Sequence, residues 1–321
     1  MVLLSFIIPC YGSEKTIVSV IDEIVNKVSE KSDYDYEVIA VNDCSPDNVW
    51  SIISNIAHTN VKIKAVCLAK NANRPGAVMA GLRQATGDIC IVMDDDGQCP
   101  VSELWRLLEP LDNGYDVSIA NYPERKQSVF KDFGTAVNKK MTEVIIDRPK
   151  NLQFTNFMAI KRFVVDEINK YQNPYPYLTG LLIRTTQNIA NVKMEERGRL
   201  DGGKTTFTFK KMLRLWLNGF TAFSVKPLRI ATVMGFVCSF FGAVLGIAII
   251  IRKLVNPDIL MGYSSTMAVL LFIGGMIMLM LGMIGEYIGR IYICINNSPQ
   301  YVIRETINIK KADEENVYEK N

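Results

Sequence analysis

The run Asp94-Asp95-Asp96-Gly97-Gln98 places three carboxylates and a side-chain amide directly after the apolar stretch Ile89–Met93. A loop with a purely structural duty would avoid that like-charge repulsion. A divalent cation removes it, and hard cations such as magnesium take oxygen ligands. In an extended segment Asp94 and Asp96 point the same way. With the neutral oxygen of Gln98 they form a candidate site for Mg2+ or Mn2+, and a metal held there would bridge to a diphosphate. A solvated acidic turn is the competing reading of the run taken alone. Two more polar groups follow apolar stretches: Pro9, Tyr11 and Glu14 after Val2–Ile8, and Asp43 after Glu37–Val41.

Other chemistries are excluded by what the chain lacks. His58 is the single histidine, so mechanisms needing two histidines, and His-rich zinc sites, are out. No GxGxxG and no GxxxxGK[ST] occurs, which removes the dinucleotide fingerprint and the P-loop. A diphosphate must then be held by metal and side chains. The seven cysteines form no CxxC pair and read as small buried hydrophobes in a reducing compartment. A net charge of +3 does not argue for nucleic acid, and none is expected as a partner.

The elements that must carry these groups alternate. Val2–Ile8, Glu37–Val41, Val61–Leu68, Ile89–Met93 and Asp116–Ala120 read as strands. Between them, apolar residues recur at helical spacing: Ile17 to Val28 after a Ser13 cap, Val49 to Ile56, Pro75 to Ala85 and Ser102 to Leu111. Such alternation predicts an α/β fold, a mostly parallel sheet with helices on both faces. In these sheets ligands bind beyond the C-terminal ends of the strands, which is where all three polar groups fall.

The 49% hydrophobic content is concentrated near the C-terminus. Ile230–Ile251 and Ser264–Gly285 are each 22 residues without a charge, and about 20 suffice for a spanning helix. The linker Arg252–Tyr263 is short and contains Pro257, so the spans form a hairpin with both ends on one side. Glycines along both permit close approach and self-assembly into a homo-oligomer. Ahead of them, Lys204, Lys210, Lys211, Arg214, Lys226 and Arg229 occur with no Asp or Glu from Gly202 to Arg229. That bias places the N-terminal part in the cytoplasm, at the inner membrane face. Within the segment Phe209, Met212, Leu213, Trp216 and Phe220 share one helical face opposite the basic residues, as in a helix lying among lipid headgroups. The expected organisation is a catalytic domain over 1–205, an amphipathic segment over 206–229, spans at 230–251 and 264–288, and a cytoplasmic tail over 297–321 that is mixed in charge and mobile from Arg304. Met1–Pro9 lacks a charged n-region and its apolar run stops at Pro9, so no signal peptide is expected.

In the order of its motifs the chain resembles the inverting family-2 glycosyltransferases of GT-A type. Within them it is similar to the membrane-anchored group of dolichol-phosphate mannose synthase and bactoprenol glucosyltransferases. The resemblance is carried by Ser5–Glu14, Val41–Asp47, Ala80–Asp88, Val92–Gln98, Phe223–Arg229 and Gly285–Tyr292, and covers nearly the whole chain. It implies that Pro9, Tyr11, Glu14 and Asp43 surround the base and ribose of a nucleotide-sugar, by default a UDP-sugar. It implies that Asp94, Asp96 and Gln98 hold the metal against the diphosphate. Asp95 stands where relatives have a small residue and joins the donor-binding set. Arg125 and Lys131 are candidates for phosphate contacts, with a solvated surface as the equal alternative.

One departure bears on mechanism. Many relatives carry Gly-Asp-Phe-Arg, whose Asp is a proposed base; here the stretch reads Thr155-Asn156-Phe157-Met158. Asn156 takes no proton as a carboxylate would. Either the enzyme is impaired or its acceptor needs no base. A polyprenyl phosphate, with a second pKa of about 6, arrives as a dianion and needs none, whereas a sugar hydroxyl does. The expected reaction is a single displacement at the sugar anomeric carbon, with Asp94, Asp96 and Asn156 at the reacting centre and the basic residues between 204 and 229 holding the lipid phosphate at the bilayer. A non-processive transferase acting on a sugar hydroxyl is the alternative. A processive synthase is disfavoured by the absence of Gln-x-x-Arg-Trp, and a catalytically silent scaffold by the intact acidic run.

Overall fold

The computed structural model describes residues 1–122, 152–198, 226–255, 262–296 and 298–309. Two compact units emerge: residues 1–206 with 298–321, and residues 207–297.

The first unit is built on one eight-stranded sheet. Its elements are β1 (Val2–Cys10), α1 (Ile17–Val28), β2 (Tyr34–Asn42), α2 (Val49–Thr59), β3 (Ile63–Leu68), α3 (Asn73–Gln84), β4 (Ile89–Val92), a 3-10 turn at Val101–Glu103 leading into α4 (Leu104–Asp112), β5 (Val117–Asn121), β6 (Met158–Lys161), α5 (Arg162–Asn169), α6 (Leu178–Thr185), β7 (Ile189–Lys193) and, far along the chain, β8 (Ile303–Ile307). The strand order is β7-β5-β6-β4-β1-β2-β3-β8. The four central strands are parallel, while β6 runs antiparallel to both β4 and β5.

Buried parallel strands read as near-continuous apolar runs because both faces are covered. In β1, Leu4, Phe6, Ile8 and Cys10 join the core formed with α1, α2 and α4. Ile7 faces the other way, towards α3, where Gly81 lets the helix approach. A Cβ on Gly81 would lie 2.5 Å from Ile7 Cγ2 and 3.2 Å from Val41 Cγ2. A buried polar network braces the same strands. Ser5 Oγ donates to Glu37 (2.6 Å), as do the amide and hydroxyl of Thr86, and Lys64 Nζ is 2.5 Å from Glu37. Burial pushes the Glu37 carboxyl up, but Lys64 and these hydrogen bonds outweigh it and hold it below the usual range.

Three local expectations change. Ser13 does not cap α1 through its side chain; its carbonyl accepts the amides of Thr16 and Ile17, and Thr16 is the N-cap. Cys44 is exposed rather than buried. The start of the tail expected to be mobile from Arg304 is a strand: β8 pairs antiparallel with the β3 edge. There Asn308 donates to the carbonyls of Ala57 (2.5 Å) and Ile63 (2.9 Å), and Gln300 to those of Tyr171 and Asn173. An edge strand leaves unpaired backbone groups, and this returning segment covers them.

The second unit holds two long helices, α7 (Lys226–Val255) and α8 (Tyr263–Ile295). Within α8, Phe272–Ile295 is long and apolar enough to cross a membrane and is not buried by protein. The helix continues through Tyr287, Arg290 and Tyr292 to Ile295, beyond the 264–288 assigned to the span itself.

Candidate active site

The strand order reverses between β1 and β4, the topological switch point where open α/β sheets bind ligands. The loops leaving β1, β2, β3 and β4 meet there. Pro9 is still in β1, opposite Val41. Beyond it, Gly12 takes φ 74°, a backbone conformation that glycine adopts at little cost. Its amide donates to Ser45 Oγ (2.8 Å), which in turn donates to Asp47 (2.6 Å). Asp47 also accepts the Glu14 amide (2.9 Å), and the Glu14 carboxylate accepts the Asn48 amide (3.1 Å). Burial raises the Asp47 carboxyl, yet Ser45 and the surrounding amides together leave it below the usual range. The two loops are thus one hydrogen-bonded rim, with Tyr11 exposed on it.

Asp43 closes the rim from below. It is buried, and its amide donates to the Cys10 carbonyl (3.0 Å). Its carboxylate accepts the Ala72 amide at 2.6 Å, and its carbonyl accepts Asn71 Nδ2. Burial pushes its pKa up to about 6, against the lowering effect of the Ala72 and Asn73 amides. Backbone and side chain of one residue therefore tie the ends of β1 and β2 to the β3–α3 loop.

The acidic run is not extended. β4 ends at Val92, the chain bends over Asp95–Gly97, and Gly97 takes φ 76°. The three aspartates consequently do three different things. Asp94 faces its neighbours: Oδ1 accepts Arg74 Nε at 2.7 Å and Oδ2 accepts Asn156 Nδ2 at 2.6 Å. Asp95 turns inward, accepting the Tyr11 amide (3.0 Å) on its carboxylate and the Thr16 hydroxyl (2.6 Å) on its carbonyl. Burial, helped by the neighbouring Asp94 charge, pushes it up to about 6. Its place is that of a brace between β4 and the β1–α1 loop. Asp96 accepts the Gln98 amide (3.1 Å) and so shapes the turn.

Asn156 reaches this cluster by register. β4 and β6 pair antiparallel with Val92 opposite Met158, and two more residues along each strand bring Asn156 opposite Asp94. Phe157, fully buried, and the Thr155 hydroxyl on the Ala120 carbonyl (2.6 Å) fix the approach. The far wall is the segment after β7. The Met194 amide donates to Asn121 and the Arg197 amide to the Gln98 carbonyl (3.2 Å), while the Arg197 guanidinium reaches Glu23 and Ser102 at 2.6 Å.

Of the expected site residues, Pro9, Tyr11, Glu14, Asp43, Asp94, Asp95, Asp96, Gln98 and Asn156 gather along this edge. Arg125, Lys131, Lys204, Lys210, Lys211 and Arg214 lie outside the described residues, and Lys226 and Arg229 open α7. Arg74 and Arg197 were not singled out by sequence. Each is paired across 20 or more positions, which no local pattern displays.

Comparison with known proteins gives three results. Residues 5–168 match the Glycosyl transferase family 2 model, and residues 226–291 match the GtrB C-terminal hairpin. The chain is 30% identical over 308 residues to a prophage bactoprenol glucosyl transferase homolog of Escherichia coli (strain K12), covering 94% of this chain and 98% of the relative. It is 29% identical over 316 residues to an undecaprenyl-phosphate 4-deoxy-4-formamido-L-arabinose transferase of Proteus mirabilis, with 96% and 95% covered. Among solved structures, glucosyl-3-phosphoglycerate synthase from Mycobacterium tuberculosis, in complex with Mn2+ and UDP-glucose, superposes with a TM-score of 0.50 at 20% identity, over 68% of this chain and 77% of that one.

Proposed function

The chain belongs to glycosyltransferase family 2, and from that premise we propose that it transfers a sugar from a nucleotide-sugar, by default a UDP-sugar, to a polyprenyl phosphate at the cytoplasmic membrane face. The observation that carries this reading is the Asp94–Asn156 pair at the switch point. The site has a carboxylate for the diphosphate side, but an amide where a sugar hydroxyl would need a base. The relatives named for bactoprenol and undecaprenyl phosphate support the same acceptor class.

The residues fit a divalent cation. Asp94 and Asp96 are hard oxygen donors on one turn, and Mg2+ is commonly held by one or two carboxylates with substrate phosphates completing its shell. Among the described residues no three His, Cys, Asp or Glu side chains are grouped so as to hold a metal, so substrate phosphates would have to complete its shell. When bound, the metal would neutralise charge developing on the leaving diphosphate.

The rest of the work falls to the chain. The β1 and β2 rim, with Asp43 beneath, shapes a slot for base and ribose. Asn156 holds Asp94 and, with its remaining polar atoms, orients the sugar or acceptor. A dianionic lipid phosphate oxygen attacks C1 of the sugar, the bond from C1 to the diphosphate oxygen breaks, and the nucleoside diphosphate leaves from the opposite face. Configuration inverts, and no proton needs to be removed from the acceptor. Apolar α7 and α8 form the membrane hairpin, and the basic stretch before it keeps the acceptor phosphate near the surface.

The test is incubation of the purified full chain with Mg2+, a panel of nucleotide-sugars and undecaprenyl phosphate. Label transfer to the lipid phosphate is expected. Transfer only to a sugar hydroxyl would overturn the reading.

A further inference from the structure

Asp94, the carboxylate best placed for a cation, has donors on both oxygens, and one donor is itself a cation. Arg74 lies in the first turn of α3, just past the β3–α3 loop that Asp43 holds, and puts Nε 2.7 Å from Asp94 Oδ1. The guanidinium is left poorly satisfied. Its Nη2 is buried and has no hydrogen-bond partner. A guanidinium carries five N–H donors in a rigid fork that matches pairs of anionic oxygens. Leaving the two on Nη2 buried and unpaired is costly, whereas a phosphate would accept two at once.

We propose that Arg74 is an exchangeable counter-ion: without donor it neutralises Asp94, and on donor binding it moves its fork to the diphosphate, freeing Asp94 Oδ1 for the divalent cation. This rests on the nucleotide-sugar reading above. The exchange keeps charge balanced on both sides, since Asp94 trades one cation for another and the diphosphate gains the guanidinium. Asn156 suits the device. Its amide stays on Asp94 Oδ2 throughout, where a carboxylate would add a negative charge that Arg74 alone could not offset. Metal and donor then bind together, because each removes the obstacle to the other.

The experiment uses the full chain in detergent, as wild type, Arg74→Gln and Arg74→Lys, with circular dichroism to establish folding. Two affinities are measured: Mn2+ alone, by electron paramagnetic resonance, and UDP in saturating Mn2+, by calorimetry, with GDP and dTDP in parallel. In Arg74→Gln the intramolecular competitor is gone, so Mn2+ alone binds about tenfold tighter, while UDP binds at least about tenfold weaker. Arg74→Lys keeps the charge without the fork, so Mn2+ affinity stays near wild type and UDP affinity falls between the other two. Unchanged or weaker Mn2+ binding in Arg74→Gln overturns the exchange, as does unchanged UDP binding. A wild-type chain that binds neither Mn2+ nor any of the three nucleotides refutes the glycosyl-donor reading itself, a result distinct from failure of the exchange alone.

Discussion

The sheet unit and the helical hairpin are both rich in apolar residues, but they use them in opposite ways. In β1, Phe6 and Ile8 have no exposed surface; in α8, Phe272 is 62% and Leu281 57% exposed. The sheet unit buries its apolar groups against itself and is left with a polar upper edge. The hairpin leaves its own facing outward, an arrangement stable only if something other than water covers it. The same residue types therefore do different things: they pack a closed core in one region and form an apolar outer face in the other. The described carboxylates and amides of the candidate site all come from the first region.

The largest expected effect lies at that polar edge. Asp96→Ala, and equally Asp94→Asn, should lower turnover by about a thousandfold or more, in line with losing several kcal/mol of charge stabilisation, while membrane partition of the chain is unchanged. Retained activity would contradict the metal role. Next comes a pair that separates the two environments. Leu281→Lys, in the apolar span, should cost about 3 kcal/mol of insertion, seen as loss from the membrane fraction. Val61→Lys, at a site 81% exposed on the sheet unit, should shift stability by less than about 0.5 kcal/mol. Equal behaviour of the two would erase the contrast.

Glycines sharpen it further. Gly81→Ala drives a methyl into Ile7 and should destabilise the sheet unit by about 1–3 kcal/mol in denaturant unfolding. Gly275→Ala meets nothing within 4 Å and should leave unfolding unaltered; a marked loss there would reveal a packing partner. The smallest effect concerns pH. The folded Asp43 carboxyl titrates at about 6 against an ordinary 3.8, so between those values the native chain holds a proton that the unfolded chain has released. Stability relative to Asp43→Asn should fall as pH rises from about 4 to about 6, by roughly 2 kcal/mol, and then level off. A flat difference across that window would show that burial does not perturb this group.

How much of this was legible in the sequence follows from the same physics. The buried parallel strands and the helices between them announce themselves, because burial on both faces forces long apolar runs and one-sided burial forces helical spacing. β6 and β8 do not. β6 is a short strand that runs antiparallel to both neighbours and so falls outside the strand–helix alternation, and β8, Ile-Arg-Glu-Thr-Ile, is an edge strand whose charged residues face solvent, so it reads as tail. At the site, the motif positions were legible but the division of labour was not. Three consecutive aspartates look alike until the bend at Gly97 sends Asp95 inward. Asn156 could be placed by family order, yet its hydrogen bond to Asp94 depends on the β4–β6 register. Arg74 was invisible because its pairing is a property of the folded edge.

The central claim is that the acceptor arrives already ionised, so that Asn156 suffices where a base would otherwise be required. Undecaprenyl phosphate and undecaprenol differ only in the phosphate. With the same donor and Mg2+, the wild-type chain should glycosylate the phosphate and leave the alcohol untouched within detection. Comparable transfer to undecaprenol would contradict the account.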